Sequence, residues 1–141
     1  MFDSNLKLSG RVSIALNGVI VEEIENLVVT AGKGYVASRI KDATATAMSH
    51  MAVGTNSTAA AAGDTALGAE AGRVALTSTS VSGAIVTYVA TFAAGTGTGS
   101  LTEAAILNAS SSGTMLCRTV FSTISKSAND SMTVTWQVTA S

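Results

Sequence analysis

The chain has no proline and only one cysteine, one histidine and one tryptophan. Each scarcity removes a class of function. A lone cysteine, Cys117, closes no disulfide within the chain. It lies in an apolar run, where a thiol serves as a small core hydrophobe, and no sequence neighbour would lower its pKa toward a nucleophile. His50 has no cysteine or acidic residue at metal-ligand spacing, so it reads as a polar side chain at a strand end. Charged residues make up 12% of the 141, and the net charge is −1. That leaves no basic footprint for nucleic acid and no polybasic patch for a membrane. No run approaches the ~18 apolar residues of a membrane helix. The start, Met1-Phe2-Asp3-Ser4-Asn5, lacks the charged-then-apolar pattern of a secretion signal, so assembly in the cytoplasm is expected.

What the chain does have is 47% apolar residues set among Ser, Thr and Asn. A chain of this length fits one domain that buries roughly two-thirds of its unfolded surface. The last stretch carries the clearest pattern. Met132, Val134, Trp136 and Val138 fall on one face, and Thr133, Thr135, Gln137 and Thr139 on the other, which predicts a half-buried strand with the tryptophan at its centre. Thr114–Phe121 is predicted as another strand, joined to the last in a hairpin through the polar link 125–130. Leu6 to Leu16 also alternates, and Asn17-Gly18 follows at once. That dipeptide suits a type I′ turn, so Arg11–Leu16 should fold back on Val19–Glu25.

Further strands are expected over Ser49–Gly54, Arg73–Val81, Ala84–Phe92 and Leu101–Asn108. A single helix is predicted over Ala31–Asp42, with Thr30 as its cap and Tyr35, Val36 and Ile40 facing inward. The low-complexity segment Thr55–Gly72 is long for a connection, which suggests a surface-hugging arm or a segment ordered by a partner. Seven or eight short strands, one helix and no βαβ alternation place the chain in the all-β class, as a β-sandwich or jelly-roll-like fold. Tyr88, Phe92, Phe121 and Trp136 are its expected core anchors.

No catalytic or cofactor site emerges. Glu22, Glu23 and Glu25 suit a solvated strand face, with nothing to separate an acid from a base. Gly32-Lys33-Gly34 lacks the spacing of a phosphate loop, and Gly95, Gly97 and Gly99 lie outside any βαβ unit. An enzyme is not expected, nor a cofactor or metal. A surface so poor in charge is weakly protected against association and suits a protein that lives in an assembly.

Four blocks, taken in order, resemble small structural proteins of tailed bacteriophages. They are Asn26–Lys33, Met51–Thr55 with Asp64–Glu70, Leu101–Ala104, and Ser111–Phe121 with Thr133–Trp136. The likeness begins at about Asn26, so the reading sets residues 1–25 apart as an arm and hairpin ahead of a core at 26–141. This sequence departs from the pattern in having Gly54-Thr55-Asn56, where relatives tend to carry Gly-Thr-Gly, and in having Ala105 where they often carry glycine. The resemblance implies a head decoration, or cement, protein at the capsid surface of a virion, clamping major capsid proteins and meeting copies of itself as a dimer or trimer. Met1, Phe2, Leu6 and Leu8 would form its contact arm. A tail or baseplate component is the alternative. A carbohydrate-binding attachment module is weaker still, because such sites favour exposed aromatics.

Overall fold

The computed structural model describes residues 6–141. Among them are nine strands and one helix: β1 (Leu8–Leu16), β2 (Val19–Val28), α1 (Thr30–Lys41), β3 (His50–Gly54), β4 (Glu70–Ala75), β5 (Ser78–Ser82), β6 (Ile85–Phe92), β7 (Gly99–Leu107), β8 (Met115–Lys126) and β9 (Met132–Ala140). All pairings are antiparallel, and the strands form one curled sheet in the order β4-β3-β7-β8-β2-β1-β9-β6-β5. The fold is all-β.

The sheet bends sharply where β2 meets β8, because only Leu27↔Arg118 and Val28↔Cys117 are paired there. The two halves close over one another in a sandwich-like arrangement. Their main core draws Val12, Ile14, Phe92 and Trp136 from one half and Met51, Ile106, Phe121 and Ile124 from the other. The expected anchors are all inside: Trp136 and Phe92 are fully buried, and Phe121 and Tyr88 nearly so. Burial pushes the Tyr88 phenol up to about 12, with smaller contributions from Cys117 and Tyr35.

The Asn17-Gly18 turn forms as expected. Both residues have positive φ (51° and 81°), and Leu16 pairs with Val19 across it. The hairpin's place differs from the sequence reading. Residues 1–25 were set apart from the core, yet β1 runs between β2 and β9 and pairs with β9 from Leu8↔Ala140 to Leu16↔Met132. Val12 and Ile14 are fully buried, since the alternation of β1 matches that of β9 residue for residue.

The same insertion changes the end of the chain. β8 and β9 do not pair as a hairpin; β8 lies against β7 and β2, and β9 against β1 and β6. The link between them is instead tied to the first turn. Asn17 Nδ2 donates to Asp130 at 2.9 Å, and the Ser131 amide donates to Asn17 Oδ1 at 2.9 Å. The β1–β2 hairpin is thereby wedged between the two strands.

The strand expected over 73–81 is two strands on opposite edges of the sheet. Between them the Leu76 amide bonds Ser49 of the β3 side, and the Thr77 amide bonds Val89 of β6. Val74 and Leu76 still pack against the core, whereas every residue of β5 is exposed. Past Leu76 no inward apolar face holds the chain to its first edge, and the curl puts the other edge within two residues' reach.

The helix starts at Thr30, one residue earlier than expected, and Val29 takes the cap position without a side-chain bond. The Thr30 amide is satisfied by the Ala62 carbonyl at 2.8 Å. Tyr35 and Val36 pack on the core, but Ile40 is 75% exposed. The buried helical residue is Gly32: a Cβ there would collide with the Leu116 carbonyl. Glycine lets the helix lie directly on β8, which explains a residue that otherwise costs a helix about 1 kcal/mol against alanine.

Replacing Trp136 with alanine should cost about 3–5 kcal/mol of unfolding free energy, measured by chemical denaturation. A loss below about 1 kcal/mol would mean that the central pairing of β9 between β1 and β6 does not hold the indole inside.

Candidate functional site

The polar centre of the molecule lies outside the main core, on the other face of β7 and β8. There Ala52, Ala105, Leu107, Met115 and Val29 form a second apolar cluster, with Leu67 packed against it. Glu103 of β7 stands beside this cluster with no exposed surface. A buried carboxylate is costly unless every lone pair has a donor. Glu103 accepts bonds from the amides of Asn56 (3.0 Å), Gly68 (3.0 Å) and Ala69 (2.9 Å). Arg118, across the strand pair on β8, adds Nε at 3.2 Å and Nη2 at 3.0 Å. Burial alone would push the Glu103 carboxyl up, but the amides of Ala69, Asn56 and Gly68, together with Arg118, hold it below the usual carboxylate range.

Arg118 is itself buried and reaches further. It donates to Asp64 at 3.0 Å and to the Thr58 carbonyl at 3.0 Å. Asp64 turns back to accept the Ala61 amide at 2.9 Å. The segment 55–69 is therefore laid over the sheet and stitched down, and its Ala62 carbonyl closes the start of α1. It is the surface-hugging arm of the two forms expected for that segment. The sequence reading quoted Glu103 and Arg118 but gave them no role. The usable signal was the one acid of β7 and an arginine in the apolar start of β8, facing a loop rich in small residues whose amides no side chain obstructs.

Next to this network, Arg73 closes β4 onto the β7–β8 turn. It meets Glu70 at 2.7 Å and the carbonyls of Ala109 and Ser112 at 2.9 Å. These are positioning contacts. Cys117 is wholly buried; burial pushes its thiol well up, outweighing the Ile106 backbone and Asn26 side chain, which act the other way. His50 Nδ1 lies 2.7 Å from the Ser49 hydroxyl. Among the described residues no group of three His, Cys, Asp or Glu side chains could hold a metal ion.

The residues named for surface contact fare differently from one another. Met1 and Phe2 lie outside the described residues. Leu6 is 68% exposed. Leu8 is already part of β1 and packs against the main core. Strand pairing reaches back to Lys7, whose amide and carbonyl bond Ser141 at 2.7 and 2.8 Å, so any free arm ends before Lys7. Leu6, Leu8, Val36 and Ile40 line a groove of about 450 Å³ between this segment and α1. A second exposed apolar group is Val19, Ile20 and Val21 at the start of β2, 66%, 58% and 44% exposed. No family model, curated protein or solved structure matches the chain.

Glu103→Gln replaces an acceptor-only group with one that must present an NH2 to donors, and it leaves buried Arg118 with Asp64 as its remaining carboxylate partner. The expected cost is about 3 kcal/mol, together with faster hydrogen exchange at the Gly68 and Ala69 amides. In the parent protein the folded pKa of Glu103 is depressed, so its contribution is fully present above the unfolded value. It is lost as pH falls below the ordinary carboxylate range and through the folded value. Acid titration followed by exchange at those amides should show the segment 55–69 loosening in that window. Unchanged protection in Glu103→Gln would remove Glu103 from this role.

Proposed function

We propose that this protein is a structural component of a tailed-phage virion that binds the outside of the capsid lattice and stabilises it. The observation that carries the reading is the convergence at Glu103. Parts of all four sequence blocks that resemble phage structural proteins meet around this network. Asp64, Gly68 and Ala69 come from the second block, Glu103 from the third and Arg118 from the fourth. Val29 and Thr30 of the first are bonded to Leu116 and to the overlying segment. The resemblance thus rests on residues that form one physical unit.

Other features suit an extracellular particle's scaffold. The long segment is locked down by buried bonds, and exposed apolar groups remain for neighbours. A capsid lattice presents many copies of one weak site, and multivalency converts weak single contacts into firm attachment. With so little charge, long-range steering toward any single subunit is small. Trp136 is fully buried, which argues against a carbohydrate platform built on it. The tail or baseplate remains the alternative location.

Mixed with expanded, closed shells of its own phage, the protein should co-sediment saturably at a fixed ratio to coat protein, while free coat protein captures little. Removing residues 1–5 together with Leu6→Ser should weaken that attachment at least tenfold and leave the melting temperature nearly unchanged, since pairing of β1 starts at Lys7. Equal binding to free coat protein, or none to shells, would contradict the reading.

A further inference from the structure

Six asparagines occur in the chain, and only Asn17 is followed by glycine. Leucine, serine, alanine or aspartate follows the others. The distinction is chemical. A backbone nitrogen can attack the side-chain amide carbon of the asparagine before it and close a cyclic imide. A side chain on the attacking residue obstructs that approach, and glycine carries none. Gly18 is also open, since a Cβ there would meet nothing within 4 Å, and both turn residues are exposed.

Asn17 is restrained, however, by the β8–β9 link. Its backbone amide donates to the Ser131 carbonyl at 2.8 Å, Nδ2 donates to Asp130 Oδ1 at 2.9 Å, and Oδ1 accepts the Ser131 amide at 2.9 Å. Asp130 is fixed in turn, because its other carboxylate oxygen accepts the Ser127 amide at 2.8 Å. Both polar atoms of the Asn17 carboxamide are thus held toward residues 130 and 131. Its carbon turns a face to the Gly18 nitrogen only when those side-chain bonds break.

We propose that Asn17 is a self-modifying site, converting slowly to aspartate and isoaspartate, and that the Asp130–Ser131 clasp both restrains the reaction and is undone by it. The Gly18 nitrogen bonds to Asn17 Cγ, Nδ2 leaves as ammonia, and water then opens the imide at either carbonyl. No oxidant or second protein takes part. The aspartate product carries a carboxylate where Nδ2 had donated to Asp130. Two acceptors of like charge then face one another. The bond from Asn17 is also the largest of the influences that hold the Asp130 carboxyl below the usual carboxylate range, and it is gone. The isoaspartate product adds a methylene to the backbone inside the turn that pairs Leu16 with Val19. Either product unties the first turn from the β8–β9 link, and neither reverts to the amide. This inference stands independently of the capsid reading.

The test stores the full chain in warm, mildly alkaline buffer and follows each asparagine by peptide mass spectrometry, with isoaspartate counted by enzymatic methylation. In denaturant, where the clasp is open, Asn17 should convert faster than every other asparagine. In the folded parent its conversion should be several-fold slower. Asp130→Ala removes the acceptor of Nδ2 and should speed conversion several-fold while the circular dichroism spectrum stays that of the parent. Asn17→Asp supplies the product's charge at once. It should melt below the parent at neutral pH, and the gap should close as acid lets the two carboxylates share a proton. If Asn17 in denaturant is no faster than the other asparagines, the site is overturned. Equal rates in the folded and denatured parent overturn the restraint, as does an unchanged rate in folded Asp130→Ala. An Asn17→Asp variant that melts with the parent overturns the untying.

Discussion

The structure depends on one buried carboxylate. Glu103 sits in the outer face of β7 with five hydrogen bonds, three of them to backbone amides of a segment that has no regular structure of its own. A lone ion in that position would be strongly destabilising, and even a good ion pair gains little net stability from its burial. Its contribution is specificity: only one path of the segment 55–69 satisfies the carboxylate, the Arg118 guanidinium and the Ala62 carbonyl together. That path covers the second apolar cluster, caps α1 and delivers the chain to β4. A loop of alanine, glycine and threonine would otherwise have little reason to choose a conformation, having few large side chains to bury.

The second constraint is the wedged hairpin. β9 is satisfied on both edges, by β1 and β6, and β1 in turn holds β2 away from most of β8. Curling follows from that partial opening, and the two-residue passage from β4 to β5 bridges the edges it brings together. The hydrophobic effect drives the closure, but the route is fixed by hydrogen bonds at the Asn17–Asp130–Ser131 knot.

Local chemistry was legible in the sequence, and long-range choice was not. Asn17-Gly18 announced its turn because positive φ is a property of those two residues alone. The alternation of Met132 to Val138 announced a buried face, and Trp136 is indeed inside. Which strand would lie beside β9 could not be read, since β1 and β8 both present alternating apolar residues and chain proximity favoured β8. Ile40 was placed inward by helical spacing, but the close approach at Gly32 sets the helix's rotation, leaving Ile40 exposed. The Glu103–Arg118 pair escaped notice because its partners are backbone amides more than thirty residues away. Backbone donors carry no residue signature.

What internal bonding did not consume is the apolar groove lined by Leu6, Leu8, Val36 and Ile40, and the exposed Val19, Ile20 and Val21 at the start of β2. Ile20 and Ile40 stand in water, and a capsid lattice is the neighbour we propose for such surfaces. Labelling purified virions of the phage proposed to encode this chain with an antibody against it tests that claim most directly. Electron microscopy should show label spread evenly over the heads. Label confined to tails would contradict the account and move the protein to the tail.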